Sequence, residues 1–210
     1  MSTHVIPHHF DNAEQAYQSS KLGFWLFLVS EILLFGGLFV AYIVFRSLYP
    51  DMFHEASGEL NRIMGGFNTI VLICSSFTMA MGVNRVQHND PKKAVMFLAI
   101  TIAFAAIFMV IKYFEYSHKI HLGLLPAGFY HYDGITHPRA PLFFSLYFVM
   151  TGLHGVHVLV GMGLITWVLL RVKRGDFSNQ YYTPVELVGL YWHLVDLIWI
   201  YLFPLMYLIG

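Results

Sequence analysis

Residues 142–170 read LFFSLYFVMTGLHGVHVLVGMGLITWVLL, a run without one Asp, Glu, Lys or Arg. About 20 apolar residues, at about 1.5 Å of helical rise each, cross a hydrocarbon core of about 30 Å. The run is therefore long enough to span a bilayer, with length to spare for tilt. Four more runs qualify: Leu22 to Phe45, Gly66 to Val83, Ala94 to Ile111 and Leu187 to Ile209. Transmembrane strands are excluded, because they are only about ten residues long and alternate in polarity. The reading is an all-α integral membrane bundle of five transmembrane helices, one domain over residues 22–210, preceded by a polar tail over 1–21.

Composition agrees. Hydrophobic residues make up 57% and charged residues 11% of the 210, whereas soluble domains carry about 25% charged residues. A water-soluble enzyme is excluded. Twelve basic residues balance twelve acidic ones, so no field for nucleic acid exists. The tail has no basic cluster leading into an apolar stretch and no small-residue cleavage site, so no cleaved signal peptide is expected. The single cysteine, Cys74, permits no internal disulfide.

Orientation follows from Lys and Arg near the span ends. One side holds Lys21, Arg85, Lys92, Lys93, Arg171, Lys173 and Arg174. The other holds Arg46, Arg62, Lys112, Lys119 and Arg139, in two longer loops diluted by Asp51, Glu55 and Glu59. The first side reads as cytoplasmic, which puts the N-terminus inside and the C-terminus outside. Arg171, Lys173 and Arg174 also suit anionic lipid headgroups, at about 1 kcal/mol each. Glu115, His118 and His121 follow the third span at helical spacing and suit a lipid headgroup, a subunit contact or a helix cap.

The chain has 12 histidines, which raises the question of a metal protein. Only His154, His157 and His193 lie within spans, together with Glu31 and Asp196, all at a similar depth. An ionisable group near the bilayer centre is costly, so it faces the bundle interior and has a partner. The economical arrangement is a buried polar cluster in which Glu31 and Asp196 accept hydrogen bonds from the histidines. On the fourth span His154, His157 and Gly161 share one face, and Gly152, Gly155, Gly163 and Thr166 share the other. Both faces suit helix contacts rather than lipid. From the residues alone three readings stay open for the cluster. They are a metal or haem site on the three histidines, a proton or ion relay through Glu31 and Asp196, and a structural core that fixes helix register.

Three segments carry a family resemblance. GFWLFLVSEILLFGGLF (Gly23 to Phe39) resembles the glutamate-bearing helix of cytochrome c oxidase subunit III. TGLHGVHVLVG (Thr151 to Gly161) resembles that family's T-G-x-H-G-x-H-V-x-x-G helix. YWHLVDLIWIYLFPLMYLIG (Tyr191 to Gly210) resembles its closing Y-W-H-F-V-D-x-x-W segment. Mitochondrial members have seven helices, and this chain resembles a five-helix bacterial form lacking the first two.

The resemblance implies a non-redox subunit of a haem–copper terminal oxidase in the bacterial inner membrane, with haem and copper in the partner subunits and none in this chain. It implies packing against subunit I, in a complex that includes subunit II, and phospholipids held in a V-shaped cleft. The cleft is expected between the first two helices and the last three. The family's intramembrane glutamate, reactive toward hydrophobic carbodiimides, matches Glu31. The implied role is to protect the oxidase during turnover, support proton uptake and help oxygen reach subunit I. His154, His157, His193 and Asp196 then become structural or cleft-lining residues. Quinol oxidases have a related five-helix subunit; Glu rather than Asp at position 31 favours cytochrome c as donor. From other classes, a small haem-binding membrane protein and a proton-coupled transporter are the alternatives.

Overall fold

The computed structural model describes residues 13–209 except 133, 136 and 180. Of the expected tail over 1–21, residues 1–12 lie outside the described residues, and 13–21 belong to the first helix. Six α-helices follow: α1 (Ala13–Leu48), α2 (Pro50–Ser57), α3 (Arg62–Gln87), α4 (Pro91–His121), α5 (Ala140–Arg174) and α6 (Thr183–Phe203), with a closing π-helical turn over Pro204–Leu208. Five of them are long and apolar enough to cross a membrane. They overrun the apolar runs because amphipathic ends extend them. α1 begins at Ala13, in helix formers such as Glu14, Gln15 and Gln18.

Starts and stops follow local chemistry. Pro50, Pro91, Pro141 and Pro184 stand in the first turns of α2, α4, α5 and α6, where the absent N–H is not missed. Gly175 ends α5 in the left-handed region at φ 83°, a conformation without penalty for glycine. Asn61 caps α3 by accepting hydrogen bonds from the N–H groups of Ile63 and Met64 at 3.1 and 3.0 Å. Asn61→Ala is expected to lower stability by about 1 kcal/mol. A lowered thermal midpoint, largely restored by Asn61→Asp, would show it.

α3, α4, α5 and α6 form the bundle: α3 packs along α4 and α6, and α5 packs along the same two. Leu72, Leu98, Ala105, Phe108, Val158, Trp192 and Trp199 are buried among them. α1 stands apart, leaning on α6 and α5. Its most apolar window is 17% buried, against 50% for α6. The expected division into two helices and three is thus corrected to one and four. The cause is close packing at α3. A Cβ on Gly65 would lie 2.7 Å from the Phe203 ring, and one on Gly82 would lie 3.1 Å from Leu98, so α3 is locked against α6 and α4 and cannot side with α1.

The two faces of α5 are packed unequally. The Gly161 face is packed within the chain, against Trp192 and Tyr191. A Cβ on Gly155 or Gly163 would meet nothing within 4 Å, and Thr166 is exposed. On the opposite small-residue face a Cβ on Gly152 would lie 3.7 Å from Tyr116 Oη of α4, so that face meets a helix near its start and is open at Gly155 and Gly163.

The outward faces are mostly apolar, with Ser30 of α1 and Thr166 of α5 among the exposed exceptions. On α3, Ile63, Phe67, Ile70, Ile73 and Phe77 are exposed at helical spacing, as a hydrocarbon-facing stripe requires. Other polar side chains point the other way. Thr78 and Thr101 share a hydrogen bond of 2.8 Å between α3 and α4. The indole N–H groups of Trp192 and Trp199 donate to Ser75 Oγ and Thr69 Oγ1 of α3, each at 3.1 Å.

Candidate functional site

α1 meets the bundle through a hydrogen-bonded carboxyl–imidazole contact. Glu31 Oε2 lies 2.7 Å from His157 Nε2 of α5, with each side chain 15% exposed. Helical geometry sets this up. His157 Nδ1 lies 2.8 Å from the Leu153 carbonyl one turn back, which fixes the ring and aims Nε2 at α1. Phe35, one turn beyond Glu31, meets the His157 ring edge-on at 5.2 Å. On the other side Phe27 of α1 stacks on Tyr191 of α6 at 6.0 Å, and Tyr191 Oη donates to the His157 carbonyl at 3.1 Å. The pair is thus shielded by rings yet not sealed.

The remaining candidates occupy other places. His154 is one turn from His157 on α5 but points into the bundle, between Phe108 at 5.6 Å and Trp199 at 5.2 Å. Neither of its ring nitrogens has a hydrogen-bond partner among the described residues. His193 Nδ1 is bonded to Ser76 Oγ of α3 at 2.7 Å. Asp196 is buried, and neither carboxylate oxygen has a hydrogen-bond partner among the described residues. The structure brings Glu31 and His157 together and links neither to His154, His193 or Asp196 by a hydrogen bond. The physical reason is angular: residues three apart on a helix differ by about 60° in direction, enough to send neighbouring polar groups into different seams. Among the described residues, no three His, Cys, Asp or Glu side chains gather in a way that could hold a metal ion.

At the cytoplasm-assigned end of α5, Arg171 Nε donates to Asp176 Oδ2 at 2.9 Å. Its guanidinium lies over Trp167 at 5.2 Å and Phe177 at 5.0 Å, so it serves a fold contact. Lys173 and Arg174 are exposed.

A buried polar cluster includes two lysines that the orientation count places in a loop. Lys112, Glu115 and Lys119 lie within α4 and are buried. Glu115 receives hydrogen bonds from Lys112 Nζ at 2.9 Å, Tyr147 Oη at 2.9 Å and Tyr207 Oη at 2.6 Å. Lys112 Nζ also reaches the Tyr147 and Tyr207 hydroxyls at 3.2 and 3.0 Å, and lies 5.0 Å from the Trp199 ring. Tyr116 and Thr151 share a hydrogen bond beside it. The cluster joins α4, α5 and the closing turn. The signal in the sequence was the Lys–Glu–Lys spacing of three and four, which puts all three on one helical face.

The same end of the molecule ties α1 and α2 to the closing turn. Pro204 cannot donate to the helical ladder, and the chain widens there into a π turn. The carbonyl of Leu205 accepts from Tyr42 Oη at 2.5 Å, and that of Ile209 accepts from Arg46. Phe53 of α2 meets Tyr42 edge-on at 5.1 Å.

A family model described as cytochrome c oxidase subunit III matches residues 7–210. The chain is 39% identical to cytochrome c oxidase subunit 3 of Synechocystis sp., over 89% of this chain and 74% of that protein. It is 35% identical to cytochrome c oxidase subunit 3 of Thermostichus vulcanus, over 95% and 92%. It is 32% identical to quinol oxidase subunit 3 of Bacillus subtilis, over 97% and 96%. The glutamate-bearing first span, its histidine partner on α5 and the five-span architecture thus sit in a chain matched nearly end to end, which belongs to the cytochrome c oxidase subunit III family.

Proposed function

We propose that this chain serves its terminal oxidase as a subunit without haem, copper or catalytic centre of its own, docked on subunit I in a complex that includes subunit II. Its work is to stabilise and tune the neighbour that reduces dioxygen. Phospholipids fill the grooves flanking α1, and Glu31 and His157 line one of them. The membrane is the bacterial inner membrane, with the N-terminus cytoplasmic. The burial of Lys112 and Lys119 supports that orientation, because it removes two cations from the opposite side's loops and leaves the excess of Lys and Arg on the N-terminal side. Glu31 supports cytochrome c rather than quinol as electron donor.

The observation that carries this reading is the Glu31–His157 pair, 2.7 Å apart and partly open between α1 and the bundle. A pair at that depth holds α1 at a fixed angle without closing the groove beside it. In the assembled oxidase, Glu31→Ala is expected to leave initial turnover near wild type while shortening the working lifetime. His157→Phe is expected to do the same, and the double variant to be no worse than either single one, since both remove one contact. Oxygen consumption followed to inactivation measures this; an unchanged lifetime in both single variants would count against the role given to the pair.

A further inference from the structure

On the side of the bundle that holds the closing turn, the α2–α3 connection, the first turn of α3 and the last turns of α4 border a half-open cavity of about 290 Å³. A water molecule's share of liquid volume is about 30 Å³, so the space suits something larger. α1 contributes nothing to it, which separates it from the Glu31–His157 groove. Its polar lining includes Glu59, His118 and Lys119, and its apolar lining includes Met64 and Phe114.

Lys119 is the informative residue. It is 2% exposed, and its contacts are long ones: Glu115 Oε1 at 3.7 Å, the Glu59 carbonyl at 3.5 Å and the Tyr147 ring at 5.3 Å. Charge-assisted hydrogen bonds run at about 2.7–2.9 Å, the distance its neighbour Lys112 achieves to Glu115. A buried ammonium with spare donors beside a cavity calls for an oxyanion within it. Exposed His118, one residue away, adds an imidazole. Glu59 supplies the opposite charge; its Oε1 accepts from Tyr132 Oη at 3.1 Å, and Oε2 has no hydrogen bond among the described residues. Glu115 is already paired with Lys112, which does not line the cavity, so Lys119 and Glu59 face it as one charge of each sign and match a ligand carrying both charges better than a net anion. The apolar side is continuous with hydrocarbon: Phe114, Phe67 and Ile63 are exposed on α4 and α3.

We propose that this cavity is a headgroup site for a zwitterionic aminophospholipid, with its phosphate on Lys119 and His118, its ammonium on Glu59, and its acyl chains passing Met64 and Phe114. The site lies in the last turns of α4, beyond the apolar run that ends at Ile111, the level at which a headgroup is expected. Its occupant completes the hydrogen bonding of Lys119 and fastens α4 to the α2–α3 connection.

The test uses the intact oxidase in vesicles of phosphatidylethanolamine and phosphatidylcholine, with a trace of phosphatidylethanolamine bearing a diazirine near its glycerol. Crosslinks are expected on residues 58–64 and 114–119, falling several-fold in Lys119→Met and retained in Lys119→Arg. Labelling there no stronger than on the exposed face of α1, or equal in Lys119→Met, would overturn the proposal. Competition in the wild type decides independently of any variant's assembly. Unlabelled phosphatidylethanolamine should suppress these crosslinks and phosphatidylglycerol should not. Suppression by inorganic phosphate, or equally by phosphatidylglycerol, would make the site one for free or net anions and overturn the assignment to a zwitterionic lipid.

Discussion

Replacing Glu115 with leucine is expected to destabilise the chain by about 3–5 kcal/mol, the usual effect of removing one partner from a buried ion pair. The carboxylate collects three hydrogen bonds and faces two lysines. Without it Lys112 and Lys119 remain in the interior as unpaired cations, and the Tyr147 and Tyr207 hydroxyls lose their acceptor. Three structural elements would loosen together, because this group of polar atoms joins α4, α5 and the closing turn. The triple variant Lys112→Met, Glu115→Leu, Lys119→Met tests the cause. Replacing a whole buried ion cluster by apolar residues of similar size is often neutral or stabilising, so the triple variant is expected to recover most of the loss. Thermal unfolding of this chain within the purified complex measures both. A single variant as stable as wild type would show that Glu115 is not the centre of the cluster.

The second large effect is steric. A Cβ at Gly161 would lie 2.7 Å from two ring carbons of Trp192 and 3.3 Å from Tyr191. Trp192 is fully buried and tied to Ser75 through its N–H, so it cannot swing aside cheaply. Gly161→Ala is expected to cost about 1–3 kcal/mol, the range for overpacking a filled interior. Gly155→Ala, on the same helix, meets nothing within 4 Å. It is expected to be neutral or to gain about 0.5–1 kcal/mol from reduced backbone entropy in the unfolded chain. The two variants differ by one methyl each, and their unfolding midpoints should move in different directions or by clearly different amounts. If both fell equally, glycine itself, and not the Trp192 contact, would be what α5 requires.

Span number and helical class were legible because hydrocarbon thickness imposes a length that few soluble sequences satisfy. What was illegible follows from the same rule. Apolar length ended the third span at Ile111, although α4 continues to His121. Lys112 and Lys119 read as loop charges and Glu115 as part of a helix end, because nothing in their own segment names Tyr147 and Tyr207 as partners; those hydroxyls come from far along the chain. Depth along a span was readable for Glu31, His154, His157, His193 and Asp196, but direction was not. Equal depth suggested one cluster, whereas rotation about each axis sends His157 to α1, His154 to the aromatic interior and His193 to α3. The glycines of α5 show the same limit. Small residues permit a close helix contact without saying whether this chain or another supplies it.

Purification of the complex in mild detergent, with identification of what accompanies this chain, bears most directly on its role. The account predicts a stoichiometric haem-bearing subunit I, with haem and copper assigned to that subunit and its partners. Recovery of this chain alone, carrying stoichiometric haem or copper of its own, would contradict it.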